Sequence, residues 1–424
     1  MMSLITSERI YRPGIAGNFP QFVLRAEAPL DAEEFSKLRR RMMLDGCKWD
    51  AQVGDLSALA PFPLVMPQSV WNQLAANAEK LTAEAAAAEL EISERPELLR
   101  LLGLPKALFK VMASREPLTP AAGRVVRFDF HFTTEGWRIS EANSDVPGGF
   151  SEASLFTELM AEKFPHPTPA GNPAEAWCDV LAEAAGVGGQ VALLSAPPLL
   201  EDHQVNAFLA ARLRERGCHA HLAKPEQIHW RDGIAHLDAC WYRGPLDLVM
   251  RFYQAEWLPK LPKENGWQHF FRGGKTLVTN PPLAVISESK RFPLTWDHLS
   301  TSLPTWCQLL PDVREPREMS WFNDHDWLLK TAYCNNGEVV CIRDLMKPRH
   351  WWHTKLTSRL SPDNWIAQRR FESVAVRTPH GPRHVCVGVY TVNGQAAGAY
   401  ARLSEKPVID FTATDVALLI DQNE

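Results

Sequence analysis

The sequence predicts a mixed α/β protein that carries a parallel α/β subdomain. Three observations point there. A nearly all-apolar run, QVALLS at 190–195, is followed by an amphipathic stretch ending at Gly217 and then by CHAHLA, the order of a strand–helix–strand unit. Two segments, 124–150 and 384–404, alternate apolar and polar residues at period two, as half-buried antiparallel strands do. Residues 68–91 are rich in Ala, Leu and Glu and repeat apolar residues at three- and four-residue spacing, which marks a helix.

The elements follow in order. Residues 31–45 read as a helix with Asp31 as N-cap and acids in the first turn. In the helix over 68–91, Trp71, Leu74, Ala78 and Leu81 share one face. A shorter helix at 95–102 stops at Gly103, and Pro105 starts another short turn. In the hairpin that follows, Arg127, Asp129 and His131 lie on one face and Phe128, Phe130 and Phe132 on the other. The return strand sets Trp137, Ile139, Glu141 and Asn143 against Arg138, Ser140 and Ala142. Ser151 opens a helix to 163. The strand–helix–strand unit comes next, then a buried strand at 246–253 and a loop, LPKLPKENG. Residues 284–299 read as helical, interrupted at Pro293. Residues 326–333 and 337–344 form a candidate hairpin around Asn335-Asn336-Gly337, and Asn393-Gly394 joins the last two strands, the stronger of the two turn signals.

With 424 residues the chain is long enough for two or three domains or one composite unit. No linker long or polar enough to part independent domains is present, so a single interlocked unit is expected. Its approximate regions are a helical part at 1–115, the first hairpin and following loop at 116–170, the parallel subdomain at 171–285, a lid region at 286–385 and the last hairpin at 386–424. The 45% hydrophobic and 22% charged content is that of a soluble globular protein. A net charge of −5 argues against an electrostatic nucleic-acid binder.

The eight cysteines at 47, 178, 218, 240, 307, 334, 341 and 386 form no CxxC pair, and free thiols in a reducing, cytoplasmic setting are expected. The first 22 residues carry early charges and no apolar core, so no signal peptide is expected. No apolar run approaches the roughly 18 residues of a membrane span, so no membrane is expected as partner. The fifteen tryptophans follow no repeat. Of the fourteen histidines none sits in an HExxH, and His350, His353, His380 and His384 read as structural or surface residues, the first two in a Trp-rich, loop-like segment.

Chemistry concentrates in RFDFHFTTEGWRISEANSDVPGGFSEAS, 127–154. If Thr134-Glu135-Gly136 is a three-residue loop with Gly136 in the left-handed region, Thr133 faces Trp137, Asp129 faces Glu141 and Arg127 faces Asn143. Directly opposed residues point to one side. Two opposed carboxylates destabilise a sheet unless a cation lies between them, and Asp, Glu and Asn oxygens suit Mg²⁺. Arg127 could pair with a phosphate oxyanion. An ordinary polar face with incidental acids explains the spacing slightly more readily, and Ca²⁺ is a further option with fewer ligands than its usual loops supply. Gly148-Gly149 would allow close approach to a ligand, and the helix opening at Ser151 could hold an anion, though a plain turn accounts for Pro-Gly-Gly by itself.

This stretch resembles the R-x-D-F…E-x-N segment of the glutathionylspermidine synthase-like ATP-grasp ligases. The resemblance continues in order through LVMRFYQAEWL, TNPPLAVISESKRF, DWLLKTAY, WIAQRRFE and GVYTVNGQAAGAYARLS, over most of residues 40–420. It implies an ATP-grasp-like fold of that type. It implies an ATP- and Mg²⁺-dependent carboxylate–amine ligase that forms an amide through an acyl phosphate, on a peptide or small amino-acid-like acid and an amine. Asp129, Glu141 and Asn143 would be metal ligands and Arg127 the catalytic arginine. Lys290, Lys330, Gln368 and Arg402 would meet ATP, and Ser144, Ser151 and Glu152 the peptide substrate. Two departures stand out. The loop after Lys330 holds only Gly337 where the family is glycine-rich, and no amidase domain is expected. A non-catalytic nucleotide binder and a small-molecule kinase on the same fold are the alternatives.

Overall fold

The computed structural model describes residues 23–423 except 51, 54–55, 198, 320–324, 334–339 and 411. The expectation about the N-terminal 22 residues, the turn at Asn335-Asn336-Gly337 and the glycine-poor stretch after Lys330 therefore lie outside the described residues. The architecture is mixed α/β, built from several sheets.

The central sheet is antiparallel. Its strands run in the order Thr414–Val416, Gln395–Ser404, Gly381–Val392, Val125–Thr133, Gly136–Asn143. The two longest join through Asn393 (φ 47°) and Gly394 (φ 82°), both in the left-handed region that a two-residue hairpin turn requires. One face of this sheet is core. Phe128, Phe130 and Ile139 are fully buried there, and Phe128 meets Trp306 edge-on at 6.0 Å between ring centroids. The long helix Gln68–Ser93 belongs to the same core, burying Trp71, Leu74, Ala78, Leu81, Ala85 and Ile92. The Thr82 hydroxyl, 2.8 Å from that of Thr391, ties the helix to the sheet.

The strand–helix–strand unit forms as the apolar runs require. Leu277–Thr279, Leu248–Phe252, Gln190–Ser195 and His219–Ala223 make a four-stranded sheet, all parallel, and helix Leu200–Glu215 crosses between the last two. The segment read as the loop LPKLPKENG contains short 3₁₀ turns at Ala255–Lys260 and Lys263–Asn265. A third, antiparallel sheet carries Val313–Arg314, Trp365–Arg369, Trp327–Thr331 and Val340–Cys341. Leu418–Asp421 pairs in parallel with Leu64–Pro67, which closes the end of the chain onto its beginning.

Most helix boundaries follow the local signals. Asp31 caps Ala32–Leu44 by accepting from the Glu34 amide at 2.8 Å. Gly103, at φ 70°, ends the short helical pair that starts at Pro96. Helix Ala284–Glu288 stops before Lys290, and a 3₁₀ segment resumes at Phe292–His298. The helix after Ser151 has a single π turn, Glu152–Phe156, before Thr157–Ala161. The segment with His350 and His353 is a helix, Pro348–Leu360, and not a loop; both histidines are exposed on it. Its buried residues are Thr354, Lys355 and Ser358, so it shows no apolar stripe by which sequence alone could identify it.

Candidate active site

The first hairpin differs from the sequence reading twice, and the two differences cancel at the site. Its turn is the two residues Thr134-Glu135, with Thr133 opposite Gly136 (φ 89°) rather than opposite Trp137. A β-bulge then shifts the register between Phe130 and Asp129, with Ser140 as the extra residue, so that Asp129 faces Glu141 and Arg127 faces Asn143 as expected. The bulge also corrects the assignment of faces. Trp137 and Ile139 turn to the core with Phe130, while Glu141 and Asn143 share the opposite face with Arg127, Asp129 and His131. In an unbulged ladder of the same turn, Glu141 would stand opposite Phe128 in the core.

Asp129 is 1% exposed and is held by two guanidiniums. Arg127 donates from Nε at 2.8 Å and from Nη2 at 3.1 Å, and Arg402 donates from Nη2 at 2.7 Å. Burial would raise this carboxyl, but Arg127 and Arg402 outweigh it and hold it down at about 2. Lys290 Nζ lies 3.2 Å from the Glu141 carboxylate. Burial likewise works against Glu141, and the Lys290 and Lys330 ammoniums outweigh it, leaving it below the usual range. Lys330, buried at the end of its strand, donates to the carbonyl of Ser140 at 3.1 Å. His131 is pushed down to about 4 by burial, with Lys330 and Arg402 adding to the effect against Asp129.

All of these groups except Lys290 line an open cleft between the hairpin and the third sheet, about 770 Å³ counted out to solvent. Leu328 and Lys330 lie on one face of their strand, opposite Gln368 and Ile366, and that face looks onto the hairpin. The cations Arg127, Lys330, Arg370 and Arg402 line the cavity against the carboxylates Asp129 and Glu141, a positive balance that favours an anion. A second, narrower space, about 350 Å³ counted out to solvent, shares Ser140, Glu141 and Gln368 with the first and is lined by Glu288 and Lys290 and by Phe292, Trp306, Leu310, Val313 and Ile366. A cationic compartment thus joins a largely apolar one at Glu141 and Gln368.

Among the described residues no group of three or more His, Cys, Asp or Glu side chains stands ready as a metal site. The donor set Asp129, Glu141 and Asn143 does fit a hard cation that takes one or two carboxylates. With two acids against several cations, Mg²⁺ would here be a partner of a bound polyanion.

Ser144, Ser151 and Glu152 are not brought into this cavity. Ser144 is buried beside Ser287, whose hydroxyl lies 2.9 Å away, and its amide donates to Glu288 at 2.7 Å. Ser151 donates to Glu152 at 3.0 Å, and Glu152 pairs at 2.6 Å with Lys48, a buried residue the sequence reading missed. Lys48 also meets Asp50 at 3.3 Å and Asp415 at 3.4 Å, and Asp415 is the strand partner of Arg402. Lys48 and Glu152 stand far apart in sequence, and no local signal could have joined them. The close approach at Gly149 (φ 85°) is made by the protein's own tyrosines. A Cβ there would come within 2.6 Å of the Tyr400 hydroxyl. Tyr390 donates to the Gly148 carbonyl, which Arg127 Nη1 also reaches at 2.9 Å.

Behind Ser144 lie Glu288 and Glu256. Burial raises both to about 7; Lys290 opposes it at Glu288, and Asp145 adds to it at both. The folded state thus keeps protons that an unfolded chain releases from about 4.5 upward, and the associated stability is lost as pH rises toward 7. Relative to the parent protein, Glu288→Gln is therefore expected to gain stability as pH increases from about 5 to about 8, by roughly 1–3 kcal/mol. Urea unfolding of both proteins across that range checks the sign; parallel curves would show that Glu288 ionises normally.

A family model for the glutathionylspermidine synthase preATP-grasp region matches residues 65–421. Among solved structures, a glutathione synthetase-like effector from Globodera pallida in its apo form aligns with a TM-score of 0.63 at 11% identity, covering 92% of this chain and 96% of that one. A putative γ-glutamylcysteine synthetase from Methylobacillus flagellatus aligns with a TM-score of 0.40 at 11% identity, over 78% of this chain and 87% of its own. No curated protein sequence matches significantly. The likeness to the effector is one of fold.

Proposed function

The chain belongs to the glutathionylspermidine synthase preATP-grasp family, and from that premise we propose that it is an ATP- and Mg²⁺-dependent ligase that joins a carboxylate to an amine. The observation that carries the proposal is the two-part cavity. Its cationic part, with Arg127, Lys330 and Arg402, suits a triphosphate, and its apolar part suits a base, with Gln368 at the junction. Lys290, on Glu141 at the same junction, would neutralise phosphate charge there.

Asp129, Glu141 and Asn143 would hold Mg²⁺, which supplies charge neutralisation for phosphate oxygens. The protein's own work is positioning and electrostatic stabilisation, since phosphoryl transfer needs no protein nucleophile. The substrate carboxylate attacks the γ-phosphorus of ATP, ADP leaves, and an acyl phosphate forms. The amine then attacks the acyl carbon and inorganic phosphate departs. Arg127, held in place by Asp129 and Gly148, stabilises the transferring phosphoryl group and the oxyanion that follows. Ser144, Ser151 and Glu152 are assigned to the acid and amine side. Support for this is that they flank, in sequence, Gly148, whose carbonyl Arg127 reaches.

The test supplies ATP and Mg²⁺ with pools of peptides, amino-acid-like acids and polyamines, and follows ADP release and product mass. Condensation with loss of water is the expected result, abolished by removing Mg²⁺ with a chelator. ATP binding without turnover in any pool would favour a non-catalytic nucleotide binder, and a product heavier by one phosphate a kinase. The absence of ATP binding would overturn the reading.

A further inference from the structure

The bulge at Ser140 does more than restore the pairing of Asp129 with Glu141. An extra residue in a strand is left out of the ladder, so its backbone groups are available to others. Ser140 uses its carbonyl to accept from Lys330 Nζ at 3.1 Å, which anchors the ammonium of one sheet on the strand of another. Its hydroxyl lies 3.2 Å from Nε2 of His131, in the second residue pair from the bulge toward the turn. The imidazole in turn packs on Phe371, with ring centroids 5.1 Å apart. Phe371 lies two residues beyond the strand Trp365–Arg369 that carries Gln368. At the hairpin tip, Thr134 donates to the Glu372 carbonyl at 3.0 Å and Val374 to that of Phe132 at 2.9 Å. His131 thus stands where the hairpin and the segment 371–374 are joined.

We propose that His131 and Ser140 are a positioning pair that fixes Lys330 against the Asp129–Glu141 face, setting where the phosphates of a bound nucleotide meet the lysine. This rests on the nucleotide-binding reading above. The reasoning is geometric. A lysine has a flexible four-carbon stem and loses side-chain freedom when it must hold one place. Ser140 supplies the fixed acceptor, but only while the bulge keeps its shape. The bulged residue has no regular ladder partner to hold it. The His131–Ser140 contact, braced by Phe371, supplies that support, beside a longer one of 3.5 Å from the Ser140 hydroxyl to the Asp129 carbonyl. Neither residue needs to touch the nucleotide.

The distinguishing measurement is the affinity for ATP and, separately, for AMP, read by titration calorimetry without turnover. The proteins are the parent, Ser140→Ala, His131→Phe, the double variant, Ser140→Thr and Lys330→Ala with and without Ser140→Ala. Circular dichroism checks that each is folded. Ser140→Ala and His131→Phe should each weaken ATP by about 2- to 10-fold, the loss of one hydrogen bond's influence. AMP, which lacks the outer phosphates, should change little. The double variant should lose no more than either single one, and in the Lys330→Ala background Ser140→Ala should have no further effect. Ser140→Thr keeps the hydroxyl and should bind ATP as the parent does. Unchanged ATP affinity, equal losses for ATP and AMP, or a Ser140→Ala effect that survives in Lys330→Ala would each overturn the proposal while leaving the ligase reading in place. Failure of the parent to bind ATP would overturn both.

Discussion

Asp129→Asn is expected to lower turnover by at least about 10³-fold and to destabilise the protein by about 3–5 kcal/mol. The two effects have one cause. Asp129 is almost wholly buried and receives three N–H donors from Arg127 and Arg402. An amide in its place removes the negative charge and leaves two guanidiniums facing each other in the interior. It also presents an NH₂ group where acceptors are needed. The catalytic loss follows because Arg127 is then no longer aimed and the proposed metal loses a carboxylate. Glu141→Gln separates the two effects. Its carboxylate is more accessible, with a side chain 22% exposed, and it pairs with Lys290 at 3.2 Å. Turnover should again be lost, with a much smaller change in stability. Thermal unfolding and ADP release, measured on both variants, check the pair. Full activity in Glu141→Gln would remove the metal assignment, and an unchanged melting temperature in Asp129→Asn would remove the ion-pair account.

The same hairpin shows how far the sequence could be read. Its strands, its glycine and its pairing of acids were legible because alternation and turn residues are local signals. The true turn is one residue shorter than expected, and the bulge one residue longer; each alone would have placed Glu141 on the wrong side. A bulge depends on what lies across the sheet, here on Ile139 finding the core with Phe130 and on Ser140 finding Lys330 and His131. Asn393-Gly394 and the Asp31 cap were read correctly for the opposite reason, since their geometry is set by the residues themselves. Helix Pro348–Leu360 was missed because its buried side is Thr354, Lys355 and Ser358, a pattern without apolar periodicity. The surroundings of Glu152 were also beyond reach, because Lys48, Asp50 and Asp415 come to it from both ends of the chain.

That last cluster makes the strongest stability prediction away from the cation-lined cavity. Lys48 is 6% exposed, and its ammonium is the shared partner of Glu152, Asp50 and Asp415. Burial alone would lower its pKa, but the three carboxylates outweigh it and hold the amine charged, well above its ordinary range. The acids depend on it unequally. Glu152, closest at 2.6 Å, is held below the normal carboxylate range against the effect of burial. Asp415 is raised to about 7 by burial, with Glu152 adding to it and Lys48 opposing it. Lys48→Met would leave these acids enclosed without the cation they share, and should cost about 3–5 kcal/mol at neutral pH. Part of that loss should return as pH falls, since protonation relieves the uncompensated charge. Adding Glu152→Gln to Lys48→Met should also recover part of it, giving a double variant more stable than the sum of the single losses predicts. Urea midpoints for the four proteins of this cycle, taken at about pH 5.5 and about pH 8, test the account. Strict additivity, or a Lys48→Met cost that does not shrink at the lower pH, would mean that the lysine contributes by packing its stem and not by its charge.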